Sequence, residues 1–294
     1  MTMKPERPEL SLDYVVFATD FSGHSEVAGQ YAGLFAQYSG ARLVAMHSFI
    51  PLRPAITVEM EGFTSTEQRH TAEKNLEEVA ARLAPAETRW QTVLLEGEPA
   101  EMVARIEQLP GSSLLVMGTQ GKGRIQHHLI GSTAEDLLRS VTCPVMTVGP
   151  NVLTPGKTLT FRNILYATDF SPEAMQAAVY AVTLAQAFGA HLHILNVLTL
   201  DEVGSVDELH AKQRAFHREL NKLVPDEARA FMEPSSYVEL GEVRERILEH
   251  AKAHRIDLIV VGPRSIEKVR MPFGRGLTYR LIAEAECPVM TLRQ

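Results

Sequence analysis

Short apolar runs alternate with longer amphipathic stretches along the chain. Residues 14–19 form one such run, bounded by polar positions, and predict a buried strand. The stretch behind it sets Val27, Ala28, Tyr31, Ala32, Leu34 and Phe35 on one side and ends near Gly40, which predicts a helix. Further strands are predicted at 43–48, 91–95, 113–117 and 144–148. Helices are predicted over 66–83, where Leu76, Val79, Ala80 and Leu83 share a face, over 99–109 and over 133–140. Pro99 suits a first helical turn, where its missing N–H costs nothing.

The pattern then repeats. Tyr14-Val15-Val16-Phe17-Ala18-Thr19-Asp20-Phe21-Ser22 returns as Asn163-Ile164-Leu165-Tyr166-Ala167-Thr168-Asp169-Phe170-Ser171. Gly97-Glu98 returns as Gly241-Glu242, and Cys143-Pro144-Val145-Met146-Thr147 recurs unchanged as Cys287-Pro288-Val289-Met290-Thr291. The spacing between copies drops from 149 to 144 residues along the way, so the second copy is shorter, most simply in the loop at 51–64. Strands are therefore expected near Asn163, His191, Ser236, Asp257 and Pro288. The domains read as 1–150 and 162–294, with a proline- and glycine-bearing linker at 151–161. Strands alternating with helices predict an α/β fold in which two tandem five-stranded parallel open sheets, Rossmann-like, carry helices on both faces. Ligands of such sheets bind beyond the carboxyl ends of the strands.

Composition changes this picture little but excludes some functions. A net charge of −7 over 294 residues argues against nucleic acid or an acidic membrane as partner. Two cysteines make no disulfide framework, no apolar leader opens the chain and every apolar run is strand-sized, so a cytoplasmic location is expected. Cys143 and Cys287 read as buried structural thiols.

The strongest chemical signal follows the fourth strand. Gly118-Thr119-Gln120-Gly121 is followed by nine residues and then by Gly131-Ser132-Thr133. Gly118 and Gly121 let backbone N–H groups approach phosphate oxygens, and Gly131-Ser132-Thr133 opens a helix whose N–H groups and dipole favour anions. Lys122 and Arg124 add positive charge. The competing reading makes Ser132 and Glu135 a capping box and Gly131 a plain turn. A P-loop is excluded, because Lys122 is followed by Gly123. The second signal, Ala18-Thr19-Asp20-Phe21-Ser22, offers Asp20 as an acceptor for ribose or adenine, or, like Ser22, as a helix cap, and the identical turn in the second copy favours a shared, partly structural role.

Together these residues resemble the universal stress protein family, in its tandem-domain form with an ATP-binding first domain. The resemblance rests on the Thr-Asp-Phe-Ser turn, the spaced glycine loop and the Cys-Pro-Val-Met-Thr ending. It implies the strand order 3-2-1-4-5 of the adenine nucleotide alpha hydrolase-like fold. It implies ATP as ligand, with magnesium as a companion ion, and a regulatory rather than catalytic role, with slow ATP hydrolysis at most. It places Ala18, Thr19 and Asp20 at adenosine, the backbone of Ser48 at adenine, and Met117, Gly118, Gly121, Gly131, Ser132 and Thr133 at ribose and phosphates. It also implies pairing through the last strands, between the two copies or between chains as a homodimer. A hydrolase of the same superfamily would carry a Ser-Gly-Gly-x-Asp-Ser stretch after strand one, which is absent here. A non-nucleotide interaction scaffold is the remaining alternative.

The second copy departs from the loop pattern. Gly262-Pro263-Arg264-Ser265 lacks the second glycine, Pro263 has no N–H to offer, and Arg275 stands between Gly274 and Gly276, so a weaker cradle is expected. Arg264, Arg270 and Arg275 read as a solvated face, with some other anion as the alternative. His127-His128 share no helix face, and His210, His217, His250 and His254 read as exposed helix residues without a third ligand. Thr64-Ser65-Thr66 reads as a polar loop.

Overall fold

The computed structural model describes residues 10–51, 65–119, 130–262 and 276–292. Gly121, Gln120, Lys122, Arg124, His127 and His128 lie outside the described residues, as do Pro263, Arg264, Ser265, Arg270, Gly274 and Arg275. The first repeat runs β1 (Tyr14–Ala18), α1 (Gly23–Ser39), β2 (Arg42–Phe49), α2 (Ser65–Leu83), β3 (Trp90–Glu96), α3 (Pro99–Glu107), β4 (Ser113–Gly118), α4 (Ser132–Ser140) and β5 (Val145–Val148). The second runs β6 (Asn163–Ala167), α5 (Pro172–Phe188), β7 (His191–Leu198), α6 (Val206–Lys222), β8 (Glu233–Leu240), α7 (Val243–Ala253), β9 (Leu258–Val261), α8 (Leu277–Glu284) and β10 (Val289–Thr291). Ser65, read above as polar loop, opens α2 one residue before the expected helix start at Thr66.

Within each repeat the strands are parallel and ordered 3-2-1-4-5. The two sheets are not separate. Antiparallel pairing of Val145–Thr147 in β5 with Val289–Thr291 in β10 joins them into one ten-stranded sheet, β3-β2-β1-β4-β5-β10-β9-β6-β7-β8. The Thr147 hydroxyl adds a 2.9 Å hydrogen bond to the Val289 carbonyl across the seam.

Period-two alternation sorts the core. Val15 and Phe17 of β1, Leu43 and Ala45 of β2, and Leu114 and Val116 of β4 pack with α1 and α2. Val16 and Ala18, Val44 and Met46, and Leu115 and Met117 point the other way and pack with α3 and α4. The second repeat continues both layers, so one apolar layer spans the molecule on each face of the sheet. Helices α1 and α5 end alike, at Gly40 and Gly189, whose φ values of 67° and 61° are left-handed and suit glycine.

The connection between repeats is more than a polar tether. Val152, Leu159 and Phe161 are buried, and the Asn151 amide donates to the carbonyls of Ala283 and Glu284 at 3.2 Å. Tyr38 of α1 stacks on Phe188 of α5 at 4.2 Å between ring centroids and donates to the Ala187 carbonyl. No helix among the described residues is long and apolar enough to cross a membrane.

Candidate functional site

Beyond the carboxyl ends of β1, β2 and β4 lies a crevice of about 300 Å³, bounded by the first turn of α4. Adjacent strands bring its floor together: Ala18 stands in register with Met46 on one side and Met117 on the other. Nine residues named from the sequence line it, namely Ala18, Thr19, Asp20, Ser48, Met117, Gly118, Gly131, Ser132 and Thr133. The tenth, Gly121, is outside the described residues. Ser25, His47, Met102, Thr119, Ala134 and Leu137 complete the lining and were passed over in the sequence. Met102 and Leu137 had a signal, since each belongs to the buried face of its helix. Ser25 had none, because it is buried where β4 meets α1, and Thr119 stood in the sequence only as a spacer of the glycine pair.

The turn after β1 is built by its own side chains. Thr19 donates its N–H to the Met46 carbonyl at 3.0 Å, and its hydroxyl accepts from the Phe21 N–H at 3.0 Å and lies 2.9 Å from the Ser25 hydroxyl. Asp20 Oδ1 accepts from the Ser22 N–H at 3.0 Å. Ser22, not Asp20, caps α1, its side chain accepting from the Ser25 N–H at 3.1 Å. This pattern forces Phe21 to a φ of 61°. The second repeat forms the same turn, with Phe170 donating to the Thr168 hydroxyl at 3.1 Å, Ser171 to Asp169 Oδ1 at 2.9 Å, and Phe170 at a φ of 59°. Identical residues thus serve identical backbone needs in both halves.

His47 fastens the turn to β2. Its Nδ1 lies 2.7 Å from the Thr19 carbonyl oxygen, which can only accept, so Nδ1 carries the proton. The ring packs 4.3 Å from Phe21 between centroids. In the second repeat Asn196 does the same work, donating to the Thr168 carbonyl at 2.9 Å.

Opposite the turn, backbone crowds in. A β-carbon on Gly118 would stand 3.2 Å from the His24 carbonyl oxygen and the Ser25 α-carbon, so any other residue would push β4 and α1 apart by a few tenths of an ångström. Gly131 donates its N–H to the Thr119 carbonyl at 2.8 Å, which pins the base of the segment between them. The capping box does not form: Gly131 is the N-cap of α4, no side chain caps it, and buried Glu135 pairs with Arg139 at 2.6 Å. The N-terminus of α4 therefore presents N–H groups and the positive end of its dipole beside exposed Ser132 and Thr133. Met117 is both core and lining, being buried against α3 and α4 while it borders the crevice. Among the described lining residues Asp20 is the one carboxylate and none is Lys or Arg.

Of the histidines expected to be exposed, His210 is so, while His217 is half-buried with Nδ1 3.0 Å from the Ser236 hydroxyl. His250 departs from expectation. It is buried, because the last turn of α7 leans onto β7 and β8.

Comparison with known proteins agrees with this architecture. Residues 12–149 and 160–293 each match the model of the universal stress protein family. A universal stress protein of Thermus aquaticus is 30% identical over 135 residues, which cover 46% of this chain and 96% of that one. Another, from Methanocaldococcus jannaschii, is 28% identical over 137 residues, covering 46% and 80%. The crystal structure of a universal stress protein from Archaeoglobus fulgidus superposes on 96% of both chains with a TM-score of 0.73 at 21% identity, a likeness of fold. With nearly the whole chain taken up by two successive matches, this protein belongs to the universal stress protein family.

Proposed function

We propose that the first repeat binds ATP in the crevice between β1, β4 and α4, and that the bound nucleotide serves a regulatory role in stress physiology. The observation that carries this reading is a convergence. Two motifs about a hundred residues apart in the chain face each other across one cavity, with a helix N-terminus at one end and apolar walls at the other. Met102, Met117 and Leu137 offer a surface for a flat base, Asp20 an acceptor for ribose hydroxyls, and Ser132 and Thr133 donors for phosphate oxygens, with Gly118 and Gly131 leaving room for them. Lys122 and Arg124 would supply charge from the segment between Gly118 and Gly131.

Magnesium fits this site as a companion of the phosphates. Asp20 is the one carboxylate among the described lining residues, and its Oδ1 already holds the turn, so the ion would take most ligands from ATP and water. In this reading the nucleotide is bound rather than turned over efficiently.

Gly131 tests the reading cleanly. Its φ of −62° is open to any residue, so Gly131→Val adds bulk to the crevice without backbone strain. ATP affinity should fall at least tenfold while the melting temperature stays within a few degrees. Mass analysis of nucleotide released on denaturing the purified protein should find ATP. Equal ATP binding by parent and variant would remove the site, and rapid release of ADP or AMP would make the protein a hydrolase instead.

A further inference from the structure

The second repeat carries a histidine cluster at the opposite end of the sheet from the strand ends that would line its own crevice. We propose that His193, His250 and His254 bind a divalent transition-metal cation, with zinc as the best match.

Two segments supply the ligands. His193 stands near the start of β7, on the face that packs against α7. His250 and His254 lie one turn apart at the end of α7, where a spacing of four aligns side chains. One ligating nitrogen from each ring lies within 4.8 Å of the other two. His193 Nδ1 and His250 Nε2 are 3.2 Å apart. Tetrahedral zinc with Zn–N bonds of about 2.0–2.1 Å separates its nitrogens by roughly 3.3 Å, so this pair already has the required spacing. His254 needs only a rotation of an exposed side chain to close the set.

The surroundings orient these rings as ligands. Glu239 of β8 accepts from His250 Nδ1 at 2.8 Å, which leaves the lone pair of His250 on Nε2, toward His193. A carboxylate behind the far nitrogen is the usual support of a metal-bound histidine, fixing its tautomer and raising its basicity. Tyr237 stacks flat on His193, with centroids 5.4 Å apart and planes 8° apart, and meets His250 edge-on at 4.6 Å. The cluster also sits at the C-terminus of α7, where the dipole and the last carbonyls favour positive charge. Burial, and then the neighbouring imidazoles, push the His193 pKa down to about 3, so its ring is neutral at physiological pH.

Without metal, the short contact between His193 and His250 is a hydrogen bond in which His193 Nδ1 donates to the His250 Nε2 lone pair. A cation placed there replaces that hydrogen, and the neutral His193 ring then carries its proton on Nε2. His254 faces solvent, so the cation has a path in and water can fill a fourth position. Three imidazoles suit zinc, copper or nickel, and zinc imposes the least geometric demand.

The test uses the full-length protein, stripped with a chelator, dialysed and titrated with zinc chloride by calorimetry. One equivalent should bind to this cluster. His254→Gln, an exposed change that leaves the fold intact, should weaken that binding about tenfold or more, and Glu239→Gln should weaken it by a similar factor while leaving all three ligands in place. Cobalt(II) should give the intense visible bands of a four-coordinate site in the parent and lose them in His254→Gln. Circular dichroism confirms that the variants fold. Failure of the parent to take up stoichiometric zinc overturns the proposal. So does equal affinity in parent, His254→Gln and His193→Gln, which would place the metal on other histidines. ATP binding by the first repeat is expected to be the same in all these variants, so this test and that of the nucleotide site fail independently.

Discussion

At the scale of single residues, the two cysteines show how position decides chemistry. Cys143 and Cys287 hold equivalent places before β5 and β10; Cys287 is buried as expected and Cys143 half-buried, and burial pushes their thiols up to about 11 for Cys143 and about 12 for Cys287. The thiolate is the reactive form, so at pH 8 about one Cys143 in a thousand is ionised. Iodoacetamide at that pH should label neither residue in the native protein and both after unfolding in urea. Fast labelling of native Cys143 would mean that it is more open than the structure shows. Residue chemistry was legible in the sequence where neighbours in the chain act on each other. The Thr-Asp-Phe-Ser turn is such a case, since Thr19, Asp20 and Ser22 all bond within a few positions. It was illegible where a partner comes from elsewhere. His250 looked like a surface residue because its partners, His193 and Glu239, sit on two other strands.

At the scale of elements, the strands of the first repeat were readable almost to the residue, the inner ones because a strand buried on both faces must be apolar throughout. The start of α4 was less so. Ser132 and Glu135 have the spacing of a capping box, yet the N-cap falls one residue earlier than that box requires, at Gly131, and Glu135 turns to Arg139. The local pattern allowed two registers, and tertiary packing of Ala134, Leu137 and Leu138 decided between them. The equivalence of His47 and Asn196 gives a test at this level. Both tie the turn after a first strand to the neighbouring second strand. His47→Asn should therefore keep the fold and its melting temperature, whereas His47→Ala, which abandons the Thr19 carbonyl, should cost about 1 kcal/mol in urea unfolding. If both variants are equally destabilised, the ring's packing on Phe21 matters more than its hydrogen bond.

At the scale of the whole molecule, the repeats share two apolar layers and a seam, and the segment between them adds Val152, Leu159 and Phe161 to the core. From the sequence this segment read as a tether, since Pro150, Pro155 and Gly156 dominate the eye and Val152, Leu153, Leu159 and Phe161 show no period. A protease site inserted between Gly156 and Lys157, where the chain is exposed, should yield fragments that still elute together by size exclusion. Separation without denaturant would show that the seam is weaker than its buried area suggests. Nucleotide stoichiometry belongs to this scale as well. The second repeat keeps the turn but not the glycine spacing, so saturation is expected near one ATP per chain; two would show that the Pro263 loop is competent.

The antiparallel seam also limits how copies of this protein can associate. A β-strand has two sides for backbone pairing, and here the inner ends of both half-sheets occupy each other. The outermost strands among the described residues are β3 and β8. A further chain joining by strand addition would have to dock there. Like-to-like docking, β3 on β3 or β8 on β8, closes a twofold pair, whereas β3 on β8 leaves a new rim at each end and grows into a ribbon.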